Sequence, residues 1–159
     1  MNVLFAVPAI YSYLVAAVER GSIPKENLSN TKVMISGGDR LSANMHELTL
    51  RIVGKDIMEG YGLTETSPVL AVNRSYEEHR AGTVGPFLQG YEWFLRTEKG
   101  EETDKNEGVL WVRGPSVSEG YFRAPEMTAE RFEDGWFNTG DYVRVEDGYI
   151  KILDRVTDI

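Results

Sequence analysis

The sequence predicts an α/β portion followed by a β-rich one: a partial α/β layer, then an antiparallel, barrel-like subdomain. Three observations carry this expectation. Up to about residue 72, short apolar runs alternate with stretches of helical spacing. Beyond about residue 74, strands are punctuated by acidic–glycine pairs, which suit hairpin turns that need φ > 0. Finally, 42% of the 159 residues are hydrophobic, enough for a sizeable core in a chain of single-domain length.

The elements follow in order. Pro8 fits the first turn of a helix, where its missing N–H costs nothing. Ile10, Leu14, Ala17 and Val18 fall on one helical face, and Gly21 supplies a stop. Residues 31–35 form an apolar, β-branched run, read as a buried strand entering a tight turn at Ser36-Gly37-Gly38. Ser42 caps the next helix, Met45, Leu48 and Ile52 line its buried face, and Gly54 ends it. Residues 56–59 read as a strand leading into Gly60-Tyr61-Gly62-Leu63-Thr64-Glu65. The polar stretch 74–80 reads as a surface loop. Strands are expected at 91–97, 108–112, 136–138, 142–145 and 149–153, with turns at Glu98-Lys99-Gly100, Asp134-Gly135 and Asp147-Gly148. Residues 125–132 are the one helical interruption, and 97–107 is the most acidic stretch and reads as mobile. No internal repeat or low-complexity tract occurs.

Composition narrows the function classes. Twenty-five acidic and 17 basic residues give a formal charge of −8, which argues against nonspecific nucleic-acid binding. A nucleotide site remains open, since it needs only local positive potential or a metal. With no cysteine, disulfides, thiolate metal sites and a cysteine nucleophile are excluded. That absence fits a reducing compartment, and the expected location is cytoplasmic. No apolar run reaches transmembrane length. Residues 1–14 lack a basic segment ahead of their apolar part, so no signal peptide is read there.

Three motifs carry chemistry. Residues 59–68 place two glycines, an aromatic ring, hydroxyls and a carboxylate in one loop. Glycines admit close backbone approach, Tyr61 offers a flat ring to a base, Thr64 a hydroxyl to phosphate, and Glu65 a hard oxygen donor to Mg²⁺. The competing reading is a glycine-bounded loop with a core tyrosine and a solvated Glu65. Ser36-Gly37-Gly38-Asp39-Arg40-Leu41, taken alone, reads as a strand-to-helix turn. Thr139-Gly140-Asp141 offers an acceptor-only carboxylate suited to a vicinal diol, though Gly-Asp is also common in turns. Trp136 and Phe137 read as core aromatics, and His46 and His79 as solvated lone histidines.

Together with Asp154-Arg155, these motifs, in this order, resemble the acyl-adenylate-forming enzymes: acyl-CoA synthetases, their acyl-carrier-protein relatives, and adenylation domains. The resemblance implies backbone contacts to adenine from Gly38 and Asp39, with Gly37 and Gly62 beside the acyl group. It implies that Gly60 and Tyr61 flank the adenine, that Thr64 bonds the α-phosphate and that Glu65 helps hold Mg²⁺. Asp141 would accept from the ribose hydroxyls, and Arg155 would contact ribose and phosphate. Many members carry Ala-Pro where Asp39 and Arg40 stand here, and Asp or Lys at the hinge position occupied by Thr157.

The implied activity is AMP-forming acid–thiol ligation, with a carboxylic acid of the fatty-acyl branch, ATP and Mg²⁺, and coenzyme A or a pantetheinyl carrier protein as thiol acceptor. Residues 1–72 would be the α/β portion of the AMP-binding domain, 73–153 the barrel-like subdomain, and 154–159 the start of a hinge to a C-terminal lid. No Ser/Thr/Gly-rich loop ending in Lys occurs in the sequence. The family's phosphate loop and lid lysine would lie in missing N- and C-terminal parts of the same enzyme, so the chain alone is expected to be inactive. The rival expectation is a non-catalytic nucleotide-binding or structural module. A carbohydrate- or peptide-binding β-domain fits the motif order less well.

Overall fold

The computed structural model describes residues 2–156. The expected hinge residue Thr157 lies outside them. The chain divides into two compact units. The first runs to Tyr61 and resumes over Val72–Gly85; the second takes Gly62–Ala71 and the chain from Pro86 onward.

In the first unit, β1 (Val3–Ala6) leads into α1 (Pro8–Glu19), with Pro8 in its first turn as expected. The short α2 (Glu26–Ser29) precedes β2 (Val33–Ser36), and α3 (Ala43–Val53) precedes β3 (Met58–Gly62). β1, β2 and β3 lie parallel, with Ala6 opposite Ser36 and Ser36 opposite Glu59. Parallel neighbours need crossovers, and the helices supply them. Ser42 caps α3, its side chain accepting the Met45 N–H at 3.2 Å, and Gly54 closes it at φ 79°. The core joins Tyr11, Val15, Met34, Leu41, Met45 and Ile57. Two helical faces differ from expectation. α1 buries Tyr11 and Val15 while Ile10 is exposed. Tyr11 is turned inward because its hydroxyl can donate to the Leu4 carbonyl at 2.7 Å. α3 buries His46 and Thr49, whereas Leu48 and Ile52 pack at the core's edge.

In the second unit, a 3-10 turn spans Thr64–Thr66 and β4 (Val69–Val72) follows it. The remainder is an antiparallel half-barrel sheet: β5 (Glu92–Arg96), β6 (Glu102–Thr103), β7 (Glu107–Arg113), β8 (Phe132–Glu133), β9 (Trp136–Glu146) and β10 (Tyr149–Arg155), with α4 (Pro125–Arg131) before β8. The order is β10-β9-β7-β5-β6, with β8 also on β9. At two of the three expected turns the acidic residue and its glycine both have positive φ: Asp134 49° and Gly135 80°, Asp147 50° and Gly148 78°. That is the primed geometry that matches strand twist. Leu110, Val112, Phe137, Val143 and Ile150 fill the core. The strands expected at 136–138 and 142–145 are one continuous strand, β9. It spends Thr139-Gly140-Asp141 on an irregularity, because Val109 pairs with Tyr142 while Trp111 pairs with Asn138. No described helix is long and apolar enough to cross a membrane.

Candidate functional site

The residues singled out from the sequence fall in both units. In the first, the turn after β2 holds Gly37 buried and leaves Gly38 and Asp39 exposed. Gly38 has φ 87°, the left-handed region that favours glycine. A Cβ on Gly37 would sit 2.9 Å from the Phe5 ring and 3.7 Å from the Gly60 carbonyl, so the turn and the end of β3 lie side by side. Gly60 and Tyr61 are half-buried there.

Glu59, just ahead of them, is buried. Its Oε2 accepts the Leu41 N–H at 3.2 Å, and its Oε1 lies 3.1 Å from His46 Nε2. His46 Nδ1 is 2.7 Å from Asp56 Oδ1, and His79 Nε2 is 2.9 Å from Asp56 Oδ2. The expectation of solvated histidines is therefore corrected: the His46 and His79 side chains are only 6% and 8% exposed. Burial alone would push the His46 pKa down. The hydrogen bonds to Asp56 and Glu59 outweigh it and raise it to about 9, so His46 is an imidazolium donating from both nitrogens. Burial would likewise raise Asp56, but the bonds from His46, His79 and the Ile57 N–H hold it well below the usual carboxylate range. The loop at 74–80 contributes more than surface, since the Tyr76 hydroxyl donates to the Asp56 carbonyl at 3.1 Å. A signal existed: Met45, Thr49 and Val53 at fourfold spacing put position 46 beside the buried stripe. Among the described residues, His46, Asp56 and His79 are the one trio with ligand atoms spaced for a metal ion. The atoms in question already bond one another, which accounts for the cluster without an ion.

In the second unit, a Cβ on Gly62 would lie 1.6 Å from the Pro68 carbonyl oxygen, so only glycine fits. Thr66 Oγ1 holds that loop closed, accepting the Leu63 N–H at 3.0 Å and donating to the Pro68 carbonyl at 2.6 Å. Thr64 is exposed and Glu65 half-buried. Tyr121 donates its hydroxyl to Glu65 Oε1 at 2.7 Å. Burial, with this bond to a carboxylate, pushes the Tyr121 pKa up to about 12. The loop ahead of Tyr121 pins the same turn: the Ser118 N–H donates to the Glu65 carbonyl at 2.8 Å, and Ser116 Oγ to the Thr66 carbonyl at 2.5 Å.

Asp141 and Arg155 meet through strand register. Arg155 pairs with Asp141 across β9 and β10, and its Nε lies 3.9 Å from Asp141 Oδ1. Asp141 is only 5% exposed. Its N–H donates to Thr139 Oγ1 at 3.1 Å, and Thr139 donates to the Leu110 carbonyl at 2.9 Å. Gly140 has φ 73°, and a Cβ there would lie 2.6 Å from the Arg131 guanidinium. The second unit thus holds two pairs, Tyr121 on Glu65 and Arg155 beside Asp141, and the positive charges of Arg131 and Arg155 partly offset the rise in the Tyr121 pKa.

The family model for the AMP-binding enzyme matches residues 1–122. A long-chain-fatty-acid–CoA ligase from Yersinia pestis is 35% identical over 84% of this chain and 24% of its own length. A feruloyl-CoA synthase from an Amycolatopsis species is 33% identical over 100% of this chain and 32% of its own. A crystal structure of ATP-bound MatB from Rhodopseudomonas palustris superposes with a TM-score of 0.84 at 34% identity, over 99% of this chain and 31% of that one. The chain spans about a quarter to a third of the length of these relatives.

Proposed function

The chain belongs to the AMP-binding enzyme family, and on that footing we propose that it is part of an AMP-forming acid–thiol ligase. A substrate carboxylate oxygen attacks the α-phosphorus of ATP, the bond to pyrophosphate breaks, and acyl-AMP forms. A thiol sulfur then attacks the acyl carbon and releases AMP. We take the acid to be a fatty acid and the thiol to be coenzyme A. The name of the Yersinia relative supports both. The feruloyl-CoA synthase places aromatic acids next in line for testing, and a carrier-protein pantetheine is the alternative acceptor.

The roles are proposed residue by residue. Gly38, Asp39, Gly60 and Tyr61 flank the adenine, and Gly37 and Gly62 border the acyl group. The Thr64 hydroxyl donates to the α-phosphate. Asp141, buried and acceptor-only, takes the ribose hydroxyls, and Arg155 adds positive charge at the ribose and phosphate. Glu65 suits Mg²⁺: Tyr121 orients its carboxylate through Oε1, leaving Oε2 to a hard cation. When bound, Mg²⁺ would offset charge building on the phosphate. Residues 1–72, 73–153 and 154–159 are proposed as adenine-side portion, barrel-like subdomain and start of the hinge. With no Ser/Thr/Gly-rich loop ending in Lys in its sequence, the 159-residue chain alone is proposed not to adenylate.

The observation that carries this reading is the family match over residues 1–122, which spans Gly60–Glu65. The test is pyrophosphate release by the complete protein, with Mg·ATP, coenzyme A and a panel of fatty and aromatic carboxylic acids. Acid-dependent release with matching acyl-CoA formation is the expected result. Release that is absent across the panel would overturn the reading in favour of a non-catalytic nucleotide-binding module.

A further inference from the structure

Resting on the functional reading above, we propose that His46 and Glu59 form a positioning brace that sets the turn after β2 against the Gly60-Tyr61 end of β3, the two stretches assigned to adenine. The two stretches assigned to adenine are not adjacent in sequence. One is the turn through Gly38 and Asp39 after β2; the other is Gly60-Tyr61 at the end of β3. Glu59 lies next to the second and reaches the first. Its Oε2 takes the N–H of Leu41, the last residue of the turn, at 3.2 Å, and Leu41 is itself 2% exposed. Its backbone carbonyl is held separately by the Asn73 N–H at 3.1 Å and Asn73 Nδ2 at 3.2 Å. The side chain is therefore free to act as a strut while the main chain is anchored elsewhere.

A buried carboxylate that gives one oxygen to a single backbone N–H is poorly compensated. His46 supplies what is lacking, its Nε2 meeting Glu59 Oε1 at 3.1 Å. Asp56 then balances the imidazolium from the other side, and His79 reaches the second Asp56 oxygen. Parallel pairing alone fixes only the Ser36–Glu59 rung at this point. Beyond that rung β2 gives way to the turn while β3 runs on to Gly62, and the Glu59–Leu41 bond ties the far end of the turn back to β3. Neither His46 nor Glu59 is assigned any contact with the nucleotide. Their effect passes through the turn and through Tyr61, so it falls on recognition of the base, not on phosphate chemistry.

The test uses the complete protein and its His46→Gln, Glu59→Gln and Glu59→Leu variants. AMP and GMP binding are measured by calorimetry, with turnover alongside. Glu59→Leu and His46→Gln should weaken AMP about 10-fold, the scale of one lost hydrogen bond to a charged group. GMP should weaken much less, so the AMP-over-GMP ratio falls by a similar factor. KM for ATP should rise while kcat and the KM for the acid stay within about twofold of the parent. Glu59→Gln, which keeps an oxygen for the Leu41 N–H, should recover most of the ratio. A fall in melting temperature with an unchanged AMP-over-GMP ratio in every folded variant overturns the brace. A parent that prefers AMP but turns over no acid sinks the ligase reading and still tests the brace on the binding ratio. A parent that binds neither nucleotide sinks both.

Discussion

Raising the pH through the neutral range should strip stability from the first unit, and the His46 network sets how much. The His46 pKa is 6.5 in its ordinary state and about 9 here. A group raised on folding stabilises fully below its unfolded value and loses that contribution as pH rises through its folded one. At about 1.4 kcal/mol per unit, a rise from 6.5 to about 9 comes to about 3 kcal/mol. It is fully present at pH 6 and almost gone near pH 9.5. The charged or titratable groups around the ring are Asp56 and Glu59 in direct contact, His79 with its ring centroid 6.2 Å away, and Tyr76 edge-on to His79 with Lys55 over its face. Asp56 works with the opposite sign. Its depressed pKa contributes stability above about pH 4 that is lost on acidification. The first unit should therefore be most stable between about pH 4 and 6.5. The long helices α1 and α3 both lie in it, so urea unfolding followed by circular dichroism at 222 nm reports on it. Between pH 6 and 9.5 the parent should lose about 3 kcal/mol more than His46→Gln. Parallel curves for parent and variant, or stability that climbs with pH, would refute the assignment of a buried imidazolium.

Three further outcomes follow from single positions. Gly62→Ala would place a methyl 1.6 Å from the Pro68 carbonyl; it should cost about 3 kcal/mol or more, and an unchanged urea midpoint would contradict the packing. In the complete protein, Asp141→Ala should lose most of the discrimination between ATP and 2′-deoxy-ATP, about 1.5–3 kcal/mol per bond to the carboxylate; discrimination equal to the parent's would remove Asp141 from the ribose. Glu65→Gln should slow adenylation roughly 10²-fold and spare thioester formation from pre-made acyl-AMP, whereas equal losses in both half-reactions with a lowered melting temperature would mark Glu65 as structural.

Much of the fold was legible because its signals are local. Pro8, Ser42 and Gly54 mark helix ends through backbone chemistry that does not depend on tertiary partners, and each stands where it was expected. The Asp134-Gly135 and Asp147-Gly148 turns were equally readable, since positive φ at both positions leaves few residue choices. β1 was not readable. Val3–Ala6 has too few residues to show a period before Pro8 begins the helix, and only its pairing with β2 defines it. The division of β9 into two strands had a physical cause too. Gly140 interrupts the alternation, and a glycine within a strand signals an irregularity as readily as a loop.

In the candidate site, residues with a local sequence signal were legible and those defined by distant partners were hidden. Glu65 stood out as a carboxylate among hydroxyls three residues after Gly62, Asp141 as an acidic residue directly after Gly140, and both are held by specific donors or partners. Tyr121 is 56 positions from Glu65, and no spacing rule links the two; only the tertiary fold brings the 116–121 loop to the Thr64–Thr66 turn. His46 failed for a subtler reason. A histidine flanked by Glu47 and by a polar Asn44 reads as surface, yet the stripe through Met45, Thr49 and Val53 carries position 46 inward. Burying it is tolerable only because Asp56 and Glu59, 10 and 13 residues on, arrive from β3 and the chain leading into it. Each of these three side chains would be costly inside alone; His46 meets both carboxylates, and His79 with the Ile57 and Leu41 N–H groups supplies the remaining bonds. A rule that ranks residues one at a time by polarity places all three outside; the bonds that make them tolerable inside are a property of the set.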